Sequence, residues 1–191
     1  MVKKDIESYI KIYNVLDKKT CSEIIKDLKT KTWSEHSFYN YRQDTSVNKS
    51  GKQELDTCYG DKQFVHYDFV MKKIWDSLHL YYYKHLNYSW LPGWNGYTSL
   101  KYNRYQKNKK MAYHWDCINS VFDGERKGIP TLSIVGVLNE NYTGGEFIMF
   151  EDKEIKLKTG DLLIFPSTFM CPHKVEPVTK GTRYAFVSWV W

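Results

Sequence analysis

The sequence predicts a mainly β protein with flanking helices: a double-stranded β-helix, or jelly roll, with N-terminal helices packed on one sheet. Three observations predict it. After the turn-rich segment Trp90-Leu-Pro-Gly-Trp-Asn-Gly the chain becomes a series of short runs rich in Val, Ile, Thr, Tyr and Phe, punctuated by Gly, Asn and Pro. Upstream of that segment, apolar residues instead recur at three- and four-residue steps. Aromatic residues make up 17% of the chain, with 16 Tyr and 7 Trp, and such side chains suit half-buried β surfaces.

The first helix is expected from Thr20, whose hydroxyl caps it while Glu23 completes a capping box. Cys21, Ile24, Ile25 and Leu28 then line one face. From Ser34 to Lys62 the chain is polar and aperiodic, which reads as a functional loop or a poorly ordered one. A second helix follows, with Phe64, Tyr67, Met71, Ile74, Trp75, Leu78, Tyr82 and Leu86 as its core-facing stripe. Eight strands are expected, at about Thr98 to Gln106, Met111 to Asp116, Thr131 to Asn139, Glu146 to Phe150, Glu154 to Lys158, Asp161 to Pro166, His173 to Pro177 and Thr182 to Trp191. No helix interrupts them, which favours a double-sheet roll over an α/β fold.

At 191 residues the chain fits one domain, with residues 1–97 as helical support and substrate loop and residues 98–191 as the jelly-roll core. Its 42% hydrophobic and 26% charged content excludes disordered and fibrous classes. No apolar run approaches the roughly 20 residues of a transmembrane helix. The start, Met1-Val-Lys-Lys-Asp-Ile-Glu-Ser, has no apolar stretch of the secretory type, so the expected location is the cytoplasm and no membrane partner is expected. Cys21, Cys58, Cys117 and Cys171 form no C-x-x-C and fit reduced thiols. The charge of +6 arises from 28 basic residues interleaved with 22 acidic ones, a solvated surface rather than a nucleic-acid tract.

The chemistry concentrates around Tyr113-His114-Trp115-Asp116. On a strand, His114 and Asp116 share a face about 7 Å apart along the backbone, and both can grip one ion. His173, at the start of a late strand, supplies the second imidazole of a two-histidine, one-carboxylate facial triad, which leaves positions open on non-haem Fe(II). Zinc binds the same groups, but a hydrolytic zinc site also wants a general base, and none stands out nearby. Ten residues beyond His173 lies Arg183, and alternation puts Arg183, Ala185, Val187 and Trp189 on one face. A guanidinium there is costly unless an anion meets it, and its planar fork suits the distal carboxylate of a dicarboxylic keto acid. Tyr105 is the preferred additional hydroxyl donor.

Asn103-Arg-Tyr105, His114-Trp-Asp116, Leu132 to Asn139, Gly144-Gly-Glu-Phe147, Gly160-Asp-Leu-Leu-Ile-Phe-Pro166, His173 to Val178 and Gly181-Thr-Arg183 together resemble the 2-oxoglutarate and Fe(II)-dependent dioxygenases, in their prolyl 4-hydroxylase-like branch. The resemblance covers roughly Tyr102 to Trp191. It implies iron ligation by His114, Asp116 and His173, and co-substrate binding by Arg183 with Tyr105; Trp189 falls where the family often keeps a tryptophan near the site. It further implies Fe(II), 2-oxoglutarate and O2, with ascorbate supportive, and hydroxylation of a C–H bond with release of succinate and CO2. A peptidyl prolyl residue of a peptide or protein is the leading substrate, with free amino acids, other small molecules or nucleobases as further classes. Collagen-type members usually carry Lys where this chain has Arg183, whereas other branches use Arg. Nucleic-acid demethylases carry another arginine beyond the co-substrate one, and here only Arg183 follows His173. The alternative is a non-catalytic jelly-roll module that binds a metal or ligand.

The remaining candidates take structural readings. His36, His66, His79 and His85 are expected to be structural, Gly144-Gly145 a turn, and Tyr113 and Cys117 packing residues on the face opposite the ligands. Trp189 divides between core and site wall. Cys171 shares the parity of His173, but three ligands already complete the iron face, so thiolate ligation is disfavoured. Ser34 to Lys62 and Ile118 to Pro130 are the expected lids.

Overall fold

The computed structural model describes residues 5–36, 38–40, 45–47, 53–116, 120–121, 127–128 and 130–191. In chain order its elements are β1 (Lys11–Asn14), α1 (Lys18–Leu28), β2 (Ser34–Glu35), β3 (Phe38–Asn40), β4 (Thr45–Val47), β5 (Asp56–Tyr59), α2 (Tyr67–Leu80), β6 (Lys101–Tyr105), β7 (Met111–His114), β8 (Ser120–Val121) and β9 (Lys127–Gly128). They continue with β10 (Leu132–Val137), β11 (Thr143–Gly144), β12 (Phe147–Met149), β13 (Lys153–Glu154), β14 (Asp161–Pro166), β15 (His173–Val175), β16 (Val178–Lys180) and β17 (Arg183–Val190). A seven-stranded sheet runs β1-β14-β10-β17-β6-β5-β2, and a four-stranded sheet runs β13-β12-β15-β7. Short pairs β11-β16, β3-β4 and β8-β9 complete the described ladders.

Alternation along the central strands divides the interior in two. Ile134, Leu162, Ile164, Tyr184 and Phe186 face Cys21, Ile24 and Leu28 of α1 and Val70, Ile74 and Leu78 of α2. Their neighbours Val135, Leu163 and Phe165 face Phe147, Met149 and Val175 of the smaller sheet. The helices therefore cover the outer face of the large sheet, as expected, and leave the inner face for the site. The close fit is visible at Gly136 of β10, opposite Phe186 of β17, where a Cβ would lie 2.0 Å from the ring.

Several expectations need correction. Helix α1 begins two residues early, because Asp17 caps it by accepting the Thr20 N–H at 2.7 Å; Thr20 lies inside the first turn. Helix α2 begins at Tyr67, and Phe64 instead stacks on Tyr102 at 5.6 Å. Tyr81–Leu86 continue it as a wider π turn. Trp75 is 46% exposed and meets Trp94 edge-on, while Val70 and Tyr81 take the core face; a step of 100° per residue carries Trp75 past Ile74.

Strands β1 and β5 were not expected, since each is short and acquires its partners, β14 and β6, far along the chain. The segment 34–62 is not one unbroken loop, for β2 and β5 extend the large sheet and β3 pairs with β4. Residues 37, 41–44 and 48–52 of that segment lie outside the described residues, as do Cys117 and, in the second expected lid, 118–119, 122–126 and 129, including Asp123 and Gly124. Cys21, Cys58 and Cys171 are free and buried. Among the described residues no helix is long and apolar enough to cross a membrane.

Candidate active site

Strand β7 pairs with β15 so that His114 and His173 stand opposite each other, their ring centres 4.3 Å apart. Strand β7 ends at His114, and the chain bends at Asp116, whose carboxylate lies beside both imidazoles. Asp116 Oδ1 lies 3.4 Å from His114 Nε2, and Oδ2 lies 3.7 Å from His173 Nε2. One ligand atom from each of the three residues falls within 4.8 Å of the others.

Each ring is oriented through its far nitrogen. His114 Nδ1 donates to the Ala112 carbonyl at 2.7 Å and His173 Nδ1 to the Cys171 carbonyl at 3.2 Å, which leaves both Nε2 lone pairs directed at the shared space. The Ala112 amide in turn donates to Glu54 Oε1 at 3.2 Å, tying strand β7 to buried Glu54. Asp116 is fixed by Ser133, whose hydroxyl donates to Oδ2 at 2.6 Å and bonds the Ser167 hydroxyl at 2.8 Å.

The electrostatics match a cation site. Burial alone would push the Asp116 carboxyl up, but the nearby histidines and the Ser133 hydroxyl hold it well below the ordinary carboxylate range. Burial, with His114 beside it, pushes His173 down to about 4. Burial also disfavours charge on His114, yet the hydrogen bond and charge of Asp116 outweigh it and raise that ring above its ordinary value. The set is one anionic oxygen ligand and two imidazoles competing for little but a proton.

Arg183 opens β17 directly opposite Tyr105 of β6, with its guanidinium carbon 5.0 Å from the Tyr105 ring centre. It is 1% exposed, and its Nε and Nη1 are buried without a hydrogen-bond partner. Burial pushes the Tyr105 phenol up to about 12, so it stays a donor. A cavity of about 240 Å³ reaches Arg183 past Tyr142, Gly145 and Phe147. Orphaned donors on a buried cation call for an anion, which a carboxylate gripped through Nη2 and one of them would supply, and the residues present therefore fit a dicarboxylic co-substrate. Trp189 pairs in register with Ser133, which places it on the sheet face that holds Asp116.

Some residues take roles the sequence did not suggest. Ser133 and Ser167 are the buried hydroxyls that hold Asp116, and a serine inside the Leu132–Val137 run was the available signal. His36 is 7% exposed and close enough to feel the charges of Lys101, His114 and Asp116, so it lines the site's surroundings. Cys171 contributes its carbonyl, and burial pushes its thiol up to about 11. Tyr113 is 47% exposed and does not pack, because it points away from the inter-sheet core on an edge strand.

Two imidazoles of the smaller sheet and one carboxylate meet on a triangular face, with a buried guanidinium on the large sheet, an arrangement that suits a metal ion with open positions and an anionic co-ligand. The model of the 2OG-Fe(II) oxygenase superfamily matches residues 100–191. A PKHD-type hydroxylase of Xylella fastidiosa (strain M12) is 36% identical over 107 residues, covering 47% of this chain and 43% of that protein. Another, of Aliarcobacter butzleri, is 38% identical over 97 residues, covering 47% and 41%. The chain thus matches less than half the length of these relatives.

Among solved structures, a Trichoplax adhaerens prolyl hydroxylase in complex with a hypoxia inducible factor oxygen degradation domain peptide fragment superposes with TM-score 0.69 at 21% identity, over 96% of this chain and 84% of that one. The viral collagen prolyl hydroxylase of Paramecium Bursaria Chlorella virus-1 superposes with TM-score 0.66 at 16% identity, over 95% and 94%. At those identities the likeness establishes the shared fold.

Proposed function

We propose that this protein is an Fe(II)- and 2-oxoglutarate-dependent dioxygenase that hydroxylates a C–H bond and releases succinate and CO2, with a peptidyl prolyl residue as its leading substrate. The observation that carries the reading is the convergence of His114, Asp116 and His173 on one point, with Arg183 on the large sheet packed against theirs holding two unsatisfied donors. Bound together, Fe(II) and 2-oxoglutarate supply the means to activate O2 and deliver one of its oxygen atoms to a C–H bond, the other entering succinate.

The chain's own residues do the rest. His114, Asp116 and His173 hold the metal by one face; Arg183, with Tyr105 as neighbouring donor, holds the distal carboxylate of the co-substrate. Ser133 and Ser167 keep Asp116 in one rotamer. Phe147 and Phe165 pack on the His173 ring and exclude water from that side. Residues 98–191 form the catalytic core and residues 1–97 its support and substrate-facing segment.

Peptide substrates are supported by the peptide in the Trichoplax complex. The free state of the buried thiols supports a reducing compartment, the cytoplasm. The complete donor set favours an enzyme over a non-catalytic module. The test is succinate formation from 2-oxoglutarate with Fe(II) and ascorbate. Turnover is expected, uncoupled if no substrate is supplied, and His114→Ala or Asp116→Ala should abolish it. Activity unaffected by both substitutions would defeat the assignment.

A further inference from the structure

The inner face of the large sheet carries a second cation that the chemistry above does not use. Strand β6 alternates Tyr102, in the helix-side core, with Lys101, Asn103 and Tyr105 on the site side. Lys101 pairs with Val187 of β17 on one flank and with Tyr59 of β5 on the other. Its Nζ lies 5.6 Å from the Trp189 ring centre and 5.9 Å from that of Tyr59.

Among the described residues no carboxylate forms an ion pair with Lys101. The acidic group whose charge reaches it is Asp116, already engaged by Ser133 and both histidines. Two aromatic faces attract an ammonium but do not neutralise it, so a half-buried Lys101 stays short of a counter-ion. Arg183 cannot share that task. It lies four residues further along the ladder, roughly 13 Å at about 3.3 Å per residue, and opposite Tyr105. Lys101 is half-buried rather than enclosed, and Tyr59 beside it is 46% exposed.

We propose that Lys101, held between Tyr59 and Trp189, is the specificity residue for a carboxylate carried by the primary substrate. This rests on the dioxygenase reading and narrows it: the target C–H bond belongs to a molecule with an anionic group nearby, either an acidic side chain beside the target residue or the α-carboxylate of a free amino acid. The geometry favours a carboxylate over a second cation or an apolar flank, because either of those would leave the ammonium unmet.

The test uses the full chain loaded with Fe(II) and 2-oxoglutarate under nitrogen, so that ligands bind without turnover. The probes are short peptides with a central proline flanked by Glu, Gln or Lys, together with L-proline and L-prolinamide. Wild type is expected to bind the acidic member of a pair about tenfold more tightly than its amide twin, the scale of one charge-assisted hydrogen bond. Lys101→Met, which keeps the stem, should bring that ratio to about one, Lys101→Arg should retain it, and Lys101→Glu should favour the lysine peptide. A ratio confined to proline over prolinamide identifies the α-carboxylate as the source, and one seen in the peptides identifies the side chain.

The proposal is overturned if wild type shows no acidic preference in either series, or if Lys101→Met keeps it. A rise in the 2-oxoglutarate KM of Lys101→Met with an unaltered ratio would overturn it too, by assigning the residue to the co-substrate. Failure of the underlying reading looks different: wild type would form no succinate under any condition, while the binding ratio would still report on Lys101.

Discussion

Replacing Arg183 with Met should strengthen the fold while it cripples co-substrate binding, and the opposite signs make the test sharp. The guanidinium is 1% exposed, and two of its nitrogens have no partner. Each buried unsatisfied donor costs about 1–3 kcal/mol. Against this, the stacking of the cation on Tyr105 is worth about 0.5–2 kcal/mol and disappears with it. Methionine keeps most of the apolar stem, so the balance is about 2 kcal/mol in favour of the variant, or roughly 4–8 °C in Tm for a domain of this size. Binding moves the other way: two charge-assisted bonds at about 1.5–3 kcal/mol each correspond to roughly 10²–10⁴-fold in 2-oxoglutarate affinity. Thermal unfolding of both Mn(II)-loaded proteins with and without 2-oxoglutarate reads both effects. Wild type should melt lower without the keto acid and gain about 2.7 kcal/mol at one hundred times its Kd, whereas the variant should melt higher and gain nothing. A variant that melts lower than wild type, or that responds to 2-oxoglutarate equally, would refute the claim that Arg183 is a strained anchor awaiting a carboxylate.

Three further outcomes follow from the same geometry. Ser133→Ala frees Asp116 Oδ2 and should weaken Mn(II) binding about 10–100-fold in calorimetry, with Ser133→Thr restoring most of the loss; equal affinities would remove Ser133 from the metal site. Metal affinity should fall as pH drops. Protons compete first at His114, whose value is raised above 6.5, and at His173 only near about 4, so a titration should lose about tenfold per pH unit below neutrality; a loss of one hundredfold per unit above pH 5 would contradict the inequality of the two rings. Gly136→Ala drives a methyl into the Phe186 ring and should cost about 1–3 kcal/mol in urea unfolding, partly relieved by Phe186→Leu; an unaffected midpoint would show that the two strands part easily there.

The parts of the site that the sequence made legible are those fixed by local chemistry. His114 and Asp116 are two residues apart, His173 opens a strand of its own, and Arg183 begins a run whose alternation can be counted. The β17 row was read correctly, with Tyr184 and Phe186 in the helix-side core. Asp116 lies beside His114, as their two-residue spacing suggests, although β7 itself stops at His114. What could not be read depends on register between distant strands. Ser133 reaches Asp116 across 17 residues and Ser167 across a further 34, and neither carries a local mark beyond being polar in an apolar run. The setting of Lys101 likewise depends on the position of β6 between β5 and β17. Short strands such as β1 have too little periodicity to stand apart from loops and exist because β14 supplies their hydrogen bonds.

Strand β17 shows why this fold can carry so polar a cavity. Of its even-numbered residues, Tyr184, Phe186 and Val190 are buried on the helix side and join a cluster contributed by α1, α2 and the strands β5, β6, β10 and β14. That packing does not involve the metal ligands, so the register of β17 against β6 and β10 is fixed before anything binds. The odd-numbered residues are then free to be unfavourable. Arg183 can stay unpaired, and a charge can be held beside Trp189, because their positions are enforced from the opposite side of the sheet. Two layers of a jelly roll thereby separate the work of folding from the work of binding, and the residues with unmet charge or hydrogen bonds mark where ligands are to be sought.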